Sequence, residues 1–274
     1  MNSLKNFQRH RYRKSTLAIY WGVRCITLIL LVYSIVGIFL RRSDDSQSSD
    51  FTFIAVNALS LFIASFIPTY INKRFRISVP DLLLRIYIGF VTCALLLGEI
   101  GQFFVYVKWW DSALHLFSGS MIGVVGFSLV NILNNSDDLE FKLSPGFVAL
   151  FVFCFSLAVG VIWEIVEYTI DGFANSNMQR FKDSITGELW LGRKALRDTM
   201  KDFILNTIGA TITSVLGYID LKRRAGIFKK LALRKVARFN FQDKKNWGFE
   251  LTSVFNFENR KIRRGKCEDS KDGK

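Results

Sequence analysis

The chain predicts an all-α, polytopic membrane bundle of about six transmembrane helices with a basic C-terminal tail. Three observations predict it. Half of the 274 residues are apolar, 26 of them Phe, and they gather into six long runs. The formal charge of +14 is segregated rather than spread, with 17 Lys or Arg in the 53 residues after Leu221. Ten polar or charged residues fall near the ends of apolar runs, where a lipid-facing helix would carry none.

A hydrocarbon core of about 30 Å takes roughly 20 helical residues. The runs that meet this length cover residues 16–40, 51–71, 82–107, 113–133, 147–170 and 199–219. Helices are expected because a spanning backbone must satisfy its own hydrogen bonds. A barrel would need many short alternating segments, which the sequence lacks. The basic stretch before residue 16 resembles a signal-peptide n-region, but the run that follows is too long for an h-region. It is therefore expected to be an uncleaved first span.

The organisation that follows is a basic cytoplasmic arm over residues 1–15, a six-helix domain over 16–221, and a basic cytoplasmic tail over 222–274. Lys and Arg in the arm, in the second connection (Lys73, Arg74, Arg76) and in the tail share one side if there are six spans. That side is expected to be the cytoplasm, with both termini there and the protein in the plasma (inner) membrane. The tail segment AGIFKKLALRKVARF places Ile227, Phe228, Leu231, Val236 and Phe239 toward one side, as an interfacial amphipathic helix would. Its charge suits anionic lipid headgroups. The tail carries no aromatic-basic RNA motif, so nucleic acid is not an expected partner.

Four cysteines, three of them in apolar runs and none in a CxxC pair, support neither a disulfide framework nor a zinc ribbon. Arg24 and Arg85 are expected to snorkel toward the cytoplasmic interface. Gly119, Gly123 and Gly126 suit close helix packing.

With this topology the polar groups share one depth. Glu99 falls about 25 Å along its helix from the cytoplasmic start, and Gln102 one turn further. Asp111 and His115 are spaced i, i+4; Glu164, Glu167 and Asp171 are spaced i, i+3, i+7; Asp198, Asp202 and Asn206 are spaced i, i+4, i+8. Each set lies on one helix face. Carboxylates gathered this closely repel unless something positive sits among them. That is a divalent cation, shared protons, or the Arg and Lys of the 171–198 connection. Glu164, Asp171, Asp198, Asp202 and Asn206 form the expected metal-ligand set. Carboxylate oxygens suit Mg²⁺ or Mn²⁺, and an imidazole shifts the preference toward Mn²⁺ or Zn²⁺. His115 is the expected general base, with Asp111 fixing its tautomer and Glu167 as a third catalytic group. A plainer reading stands beside these: Asp111 and Asp198 also fit helix N-caps, and Glu99 with Gln102 fits one interhelical hydrogen bond. HExxH and the G-x-S-x-G elbow are absent.

The blocks WWDSALHLFSG, WEIVEYTIDG and DTMKDFILNTIGA together resemble the YjdF-like family of uncharacterised bacterial inner-membrane proteins. The last two are more distantly similar to VanZ-like proteins. The resemblance covers residues 99–217. It implies a polar site built on Asp111, His115, Gly119, Glu164, Glu167, Asp198 and Asp202, and it implies no established reaction.

Three functions fit these residues. One is a divalent-cation-dependent envelope enzyme acting on a lipid-linked phosphate or glycan at the outer leaflet. The Arg193–Lys201 cluster would hold the anionic headgroup. Another is an H⁺- or Na⁺-coupled carrier, although no inverted repeat is evident. The third is a non-catalytic membrane scaffold in which the acids are structural.

Overall fold

A computed structural model describes residues 12–40, 46–75, 77–134, 143–174 and 176–235, apart from the side chains of 46–49 and 234–235. The basic arm up to Arg11 and the tail from Val236 lie outside the described residues.

Six helices are long and apolar enough to cross a membrane: Lys14–Leu40, Asp50–Phe75, Asp81–Ile100, Trp110–Asn134, Pro145–Ala174 and Arg197–Arg223. The elements in order are α1 (Lys14–Leu40), α2 (Ser46–Ala64), α3 (Ile67–Phe75), β1 (Ile77–Ser78) and α4 (Asp81–Val91). A π-helical segment (Thr92–Ile100), α5 (Phe103–Tyr106), α6 (Trp110–Asn134), α7 (Pro145–Ala174), α8 (Arg197–Arg223) and β2 (Arg234–Lys235) follow. The two short strands pair antiparallel, Ile77 with Lys235 and Ser78 with Arg234.

The bundle is apolar outside and polar or small inside, as a protein solvated by lipid should be. Large apolar side chains stand exposed along all six spans, among them Trp21, Ile63, Leu97, Leu133, Ile162 and Ile204. The interior holds Thr27, Ser65, Ser128, Ser156 and Thr213. Two apolar clusters do form. Val124, Phe127, Val130, Val148 and Val152 receive Phe228, and Val79, Leu83, Leu84 and Ile88 receive Leu233. The chain after α8 therefore folds back onto the bundle. Its described part is turns and β2 rather than a helix, because the Asp220 carboxylate caps it, accepting from Ile227 N (2.9 Å) and Phe228 N (3.1 Å).

α8 packs most extensively on α6 and α7, which also pack on each other. Glycine makes this possible. A Cβ on Gly119 would stand 2.8 Å from the carbonyl oxygen and 3.0 Å from the Cα of Asn206. Gly209 in turn presses on the backbone of Leu116 and Ser120. Backbones this close let hydroxyls bond across helices. Ser156 Oγ donates to Gly119 O (2.7 Å), Thr213 Oγ1 to Ser120 O (3.1 Å) and Ser214 Oγ to Ala149 O (2.6 Å). Without a hydrophobic force between helices in lipid, such contacts hold a bundle together.

Two spans depart from regular helix. The second breaks at Ser65–Phe66, just before Pro68, whose nitrogen cannot donate. Arg24 seals the break, and this corrects the expectation that it snorkels. It is 6% exposed and its Nε donates to Ser65 Oγ (3.0 Å). Its Nη2 reaches Ser65 O (3.3 Å) and the Tyr20 hydroxyl, and its guanidinium lies 3.6 Å from the Phe66 ring centroid. Arg85, by contrast, pairs with Asp81 at 3.1 Å. The third span ends at Ile100, short of the expected residue 107. Thr92 Oγ1 takes the Ile88 carbonyl (2.7 Å) where the helix widens, and Gly101 N closes the segment on Leu96 O (2.8 Å). Gln102, at φ 56°, then turns the chain out of the helix.

Candidate functional site

The start of α6, the last turns of α7 and the start of α8 meet at one end of the bundle. α6 carries Asp111 and His115 there, α7 carries Glu164, Glu167 and Asp171, and α8 carries Asp198, Asp202 and Asn206. The i, i+4 and i, i+3 spacings turn these side chains inward. Asp111, His115, Glu164, Glu167, Asp171, Asp202 and Asn206 are all buried.

His115 is the centre. Its Nε2 lies 3.4 Å from Asp111 Oδ1 and 3.9 Å from Asp202 Oδ2, and its Nδ1 lies 3.9 Å from Glu164 Oε1. Two trios thus share the imidazole: Asp111, His115 and Asp202, and His115, Glu164 and Glu167. In each, one donor atom per residue lies within 4.8 Å of the others. Some oxygens are already engaged. Trp163 Nε1 donates to Glu167 Oε1 (2.7 Å), and Gln179 Nε2 approaches Glu164 Oε2 (3.4 Å). Others are not. His115 Nδ1, Glu164 Oε1, Asp202 Oδ1 and Asp111 Oδ2 are buried without a hydrogen-bond partner. Unpaired buried polar atoms are uncommon and costly. An imidazole nitrogen and three carboxylate oxygens gathered in this way call for a cation or protons between them.

Cations of the chain reach only the outer part of the cluster. Arg180 Nη2 is 3.9 Å from Asp111 Oδ2, and its Nε is 3.7 Å from Asp198 Oδ2. Lys201 Nζ is 4.0 Å from Asp111 Oδ2 and 3.9 Å from Asp198 Oδ1. Two carboxylates therefore face two cations at the mouth. On the floor, three carboxylates (Glu164, Glu167, Asp202) face one imidazole. Among the described residues no Lys or Arg lies within ion-pair distance of those three.

The remaining predicted residues are placed differently. Asp171 is tied to the loop that follows it, accepting from Ser176 Oγ (2.5 Å), Met178 N (2.7 Å) and Gln179 N (2.9 Å). Asp198 lies inside the first turn of α8, with Leu196 at the cap position and no side-chain cap bond. Asn206 is engaged with α6 and α7. Its Oδ1 accepts from Ser118 Oγ (3.4 Å), and its amide nitrogen fills the space a Cβ on Gly160 would need. Glu99 is half-buried within electrostatic reach of Arg180 and Asp111, whereas Gln102 is exposed.

The 176–196 loop is an ordered hairpin, with a bridge between Lys182 and Leu189 and Trp190 N bonded to Phe181 O (2.8 Å). Its turn is built on Asp183, which accepts from Thr186 N (2.8 Å) and Ile185 N (2.9 Å). These backbone donors hold its carboxyl below the usual carboxylate range. Arg180 leaves the hairpin with φ 48°, a left-handed conformation that non-glycine residues seldom adopt. Its Nη2 donates to Phe104 O (3.1 Å), so it joins the hairpin to the α5 segment. The partner roles of Gln179 and Ser118 have no sequence signature. Trp163 at i−4 from Glu167 was the one pair a helical reading could have found.

A family model described as Predicted membrane protein (DUF2238) matches residues 21–223. No curated protein and no solved structure gives a significant match.

Proposed function

The chain belongs to the family described as Predicted membrane protein (DUF2238), whose match contains every residue of the site; from the geometry of that site we propose that this multi-pass membrane protein is a divalent-cation-dependent enzyme. Its substrate is a lipid-linked phosphate or glycan presented at the outer leaflet. One observation carries the reading. His115 Nδ1 and Glu164 Oε1, both buried and unpartnered, face each other across 3.9 Å. That gap exceeds a hydrogen bond. It is wide enough to admit a cation with bonds of about 2.1 Å, whose tetrahedral ligands stand roughly 3.4 Å apart, once the two side chains close by about half an ångström.

Asp111 is the group nearest Nε2, so it accepts the Nε2 proton and leaves Nδ1 as a lone-pair donor. His115, Glu164 and Glu167 would then hold the cation, and the mixed nitrogen and oxygen set favours Mn²⁺ or Zn²⁺ over Ca²⁺. Asp202, with its free Oδ1, is placed to take a proton from water in the site. A cation there would polarise a phosphoryl oxygen or activate water. The Lys and Arg pattern, which favours cytoplasmic termini, supports an outward-facing site in the plasma membrane. The distant VanZ-like resemblance agrees with an envelope role. Thermal unfolding of the protein in lipid nanodiscs with and without Mn²⁺ tests the reading. Binding to the folded state raises the midpoint. Absence of a shift, or an equal shift in Glu164→Gln, removes it.

A further inference from the structure

Resting on that reading, we propose that Arg180 and Lys201 form a receptor for a phosphoryl group beside the cation, so that the substrate is a phosphate-bearing amphiphile and not a neutral glycan.

The two cations are poorly used by the protein itself. Every approach they make to Asp111 and Asp198 lies between 3.7 and 4.0 Å. That is beyond the 2.7–2.9 Å typical of a charge-assisted hydrogen bond. Arg180 spends one donor on Phe104 O, and among the described residues no other hydrogen bond of its guanidinium is seen. Among the described residues Lys201 Nζ makes no hydrogen bond. Both remain partly open to solvent, at 26% and 36% side-chain exposure. Yet their placement is constrained. Guanidinium and ammonium lie within 4.0 Å of one and the same oxygen, Asp111 Oδ2. Arg180 holds this position from a left-handed backbone, and Asp171 fixes the loop immediately before it through Met178 N and Gln179 N. Strained residues at φ above zero gather at functional sites.

The site is thus bipolar. An acidic floor without Lys or Arg lies beneath a mouth with two donors to spare. A dianionic phosphoryl group would complement both halves, the cation that the floor carboxylates would hold and the charges of Arg180 and Lys201 at the rim. Arg suits the planar, two-pronged recognition of phosphate, and Lys acts as a point charge. A neutral sugar would use neither charge. The hydrophobic part of the ligand has a neighbour as well: Tyr106 and Trp109, exposed by 74% and 63%, precede Asp111.

The probes are Mn²⁺, inorganic phosphate, dodecyl phosphate and dodecyl maltoside, added to the full chain in nanodiscs and read by thermal unfolding. The proposal expects Mn²⁺ alone to raise the midpoint and dodecyl phosphate to raise it further only when Mn²⁺ is present. In the double variant Arg180→Gln/Lys201→Gln the Mn²⁺ shift persists, while the apparent affinity for dodecyl phosphate falls by about a hundredfold, a common cost of losing two charged hydrogen-bond partners. Dodecyl phosphate acting well below the concentration of inorganic phosphate places the ligand in the bilayer. Equal potency keeps the phosphate receptor and places its source in solution. Dodecyl maltoside acting in place of the phosphates overturns the proposal. So does an unchanged phosphate response in the double variant. In both cases the cation site stands. A protein indifferent to Mn²⁺ loses the cation site first, and the phosphate receptor with it.

Discussion

His115 Nδ1 and Glu164 Oε1 stand 3.9 Å apart in a site where His115 is 6% and Glu164 3% exposed, and neither atom has a hydrogen-bond partner. Each is joined to the rest of the site through its other polar atom. Asp111 lies at the far side of the imidazole, and Gln179 approaches the second carboxylate oxygen. The facing pair is therefore held in position by groups that do not close the gap between them.

This asymmetry makes the two trios around His115 distinguishable. Glu164→Gln and Glu167→Gln each remove an anionic ligand from the side where His115 presents a lone pair. Asp202→Asn alters the side where Arg180 and Lys201 already supply charge nearby. In a Mn²⁺ titration read by thermal unfolding, the Glu variants are expected to lose at least tenfold in affinity, about 1.4 kcal/mol of binding free energy. Asp202→Asn loses less. The reverse ranking would move the ion to the Asp111–Asp202 side.

Helix spacing gives a prediction that concerns stability alone. Gly119→Ala puts a methyl group 2.8 Å from the Asn206 carbonyl oxygen, and backbone cannot yield as a flexible side chain would. The expected cost is about 1–3 kcal/mol, the range for overpacking in a filled interior. Gly22→Ala, whose new Cβ would meet nothing within 4 Å, is the matched control and should be neutral or mildly stabilising. Unfolding midpoints of the two variants in the same nanodiscs should differ by several degrees. Equal midpoints would mean that α6 and α8 do not approach this closely.

The spans and the floor of the site were legible because both depend on local periodicity. Apolar runs of adequate length have one stable solution in lipid, and the i, i+3 and i, i+4 spacings of Glu164, Glu167, Asp111 and His115 determine which side chains share a face. What was not legible depends on tertiary partners. Nothing in the sequence around Ser65 announces a break that a guanidinium 41 residues earlier will seal. The Thr92–Ile100 widening, which ends the third span before residue 107, follows from a hydroxyl taking a backbone carbonyl and from Gly98 pressing on the Phe104 ring. Asp171 shares the stripe of Glu164 and Glu167, but it lies in the last turn, where loop amides compete for its oxygens. Asp220 repeats the arrangement at the end of α8. Each carboxylate accepts from the amides seven and eight residues ahead.

The hairpin over the site has its own pH response. Asp183 is exposed and its carboxyl titrates below the ordinary value of 3.8, chiefly because Thr186 N and then Ile185 N donate to the ionised form. A depressed folded value means the turn is supported fully above 3.8, and that support is lost as pH falls through the folded value. A ¹³C titration of the Asp183 carboxyl should have its midpoint below 3.8, with the amide shifts of Ile185 and Thr186 following the same curve. Asp183→Asn should abolish that linked movement. Amides that ignore the carboxyl titration would show that the turn is held by something else.

Asp171 connects the hairpin to the floor of the site. Its carboxylate accepts three bonds from the 176–179 segment, and the same segment delivers Gln179 to Glu164 and Arg180 to the mouth. Asp171→Ala is expected to free Met178 N and Gln179 N. Bonds to a charged acceptor contribute about 1.5–3 kcal/mol each, so the loss should appear as local opening well before global unfolding. Hydrogen exchange at these two amides should accelerate at least tenfold, while amides in the middle of α7 and α8 keep their rates. Because Arg180 then loses its fixed backbone, the response to dodecyl phosphate should weaken more than the response to Mn²⁺. A Mn²⁺ response lost in parallel would instead make Asp171 part of the cation site itself, and that outcome would return it to the ligand set that its place on the α7 stripe suggests.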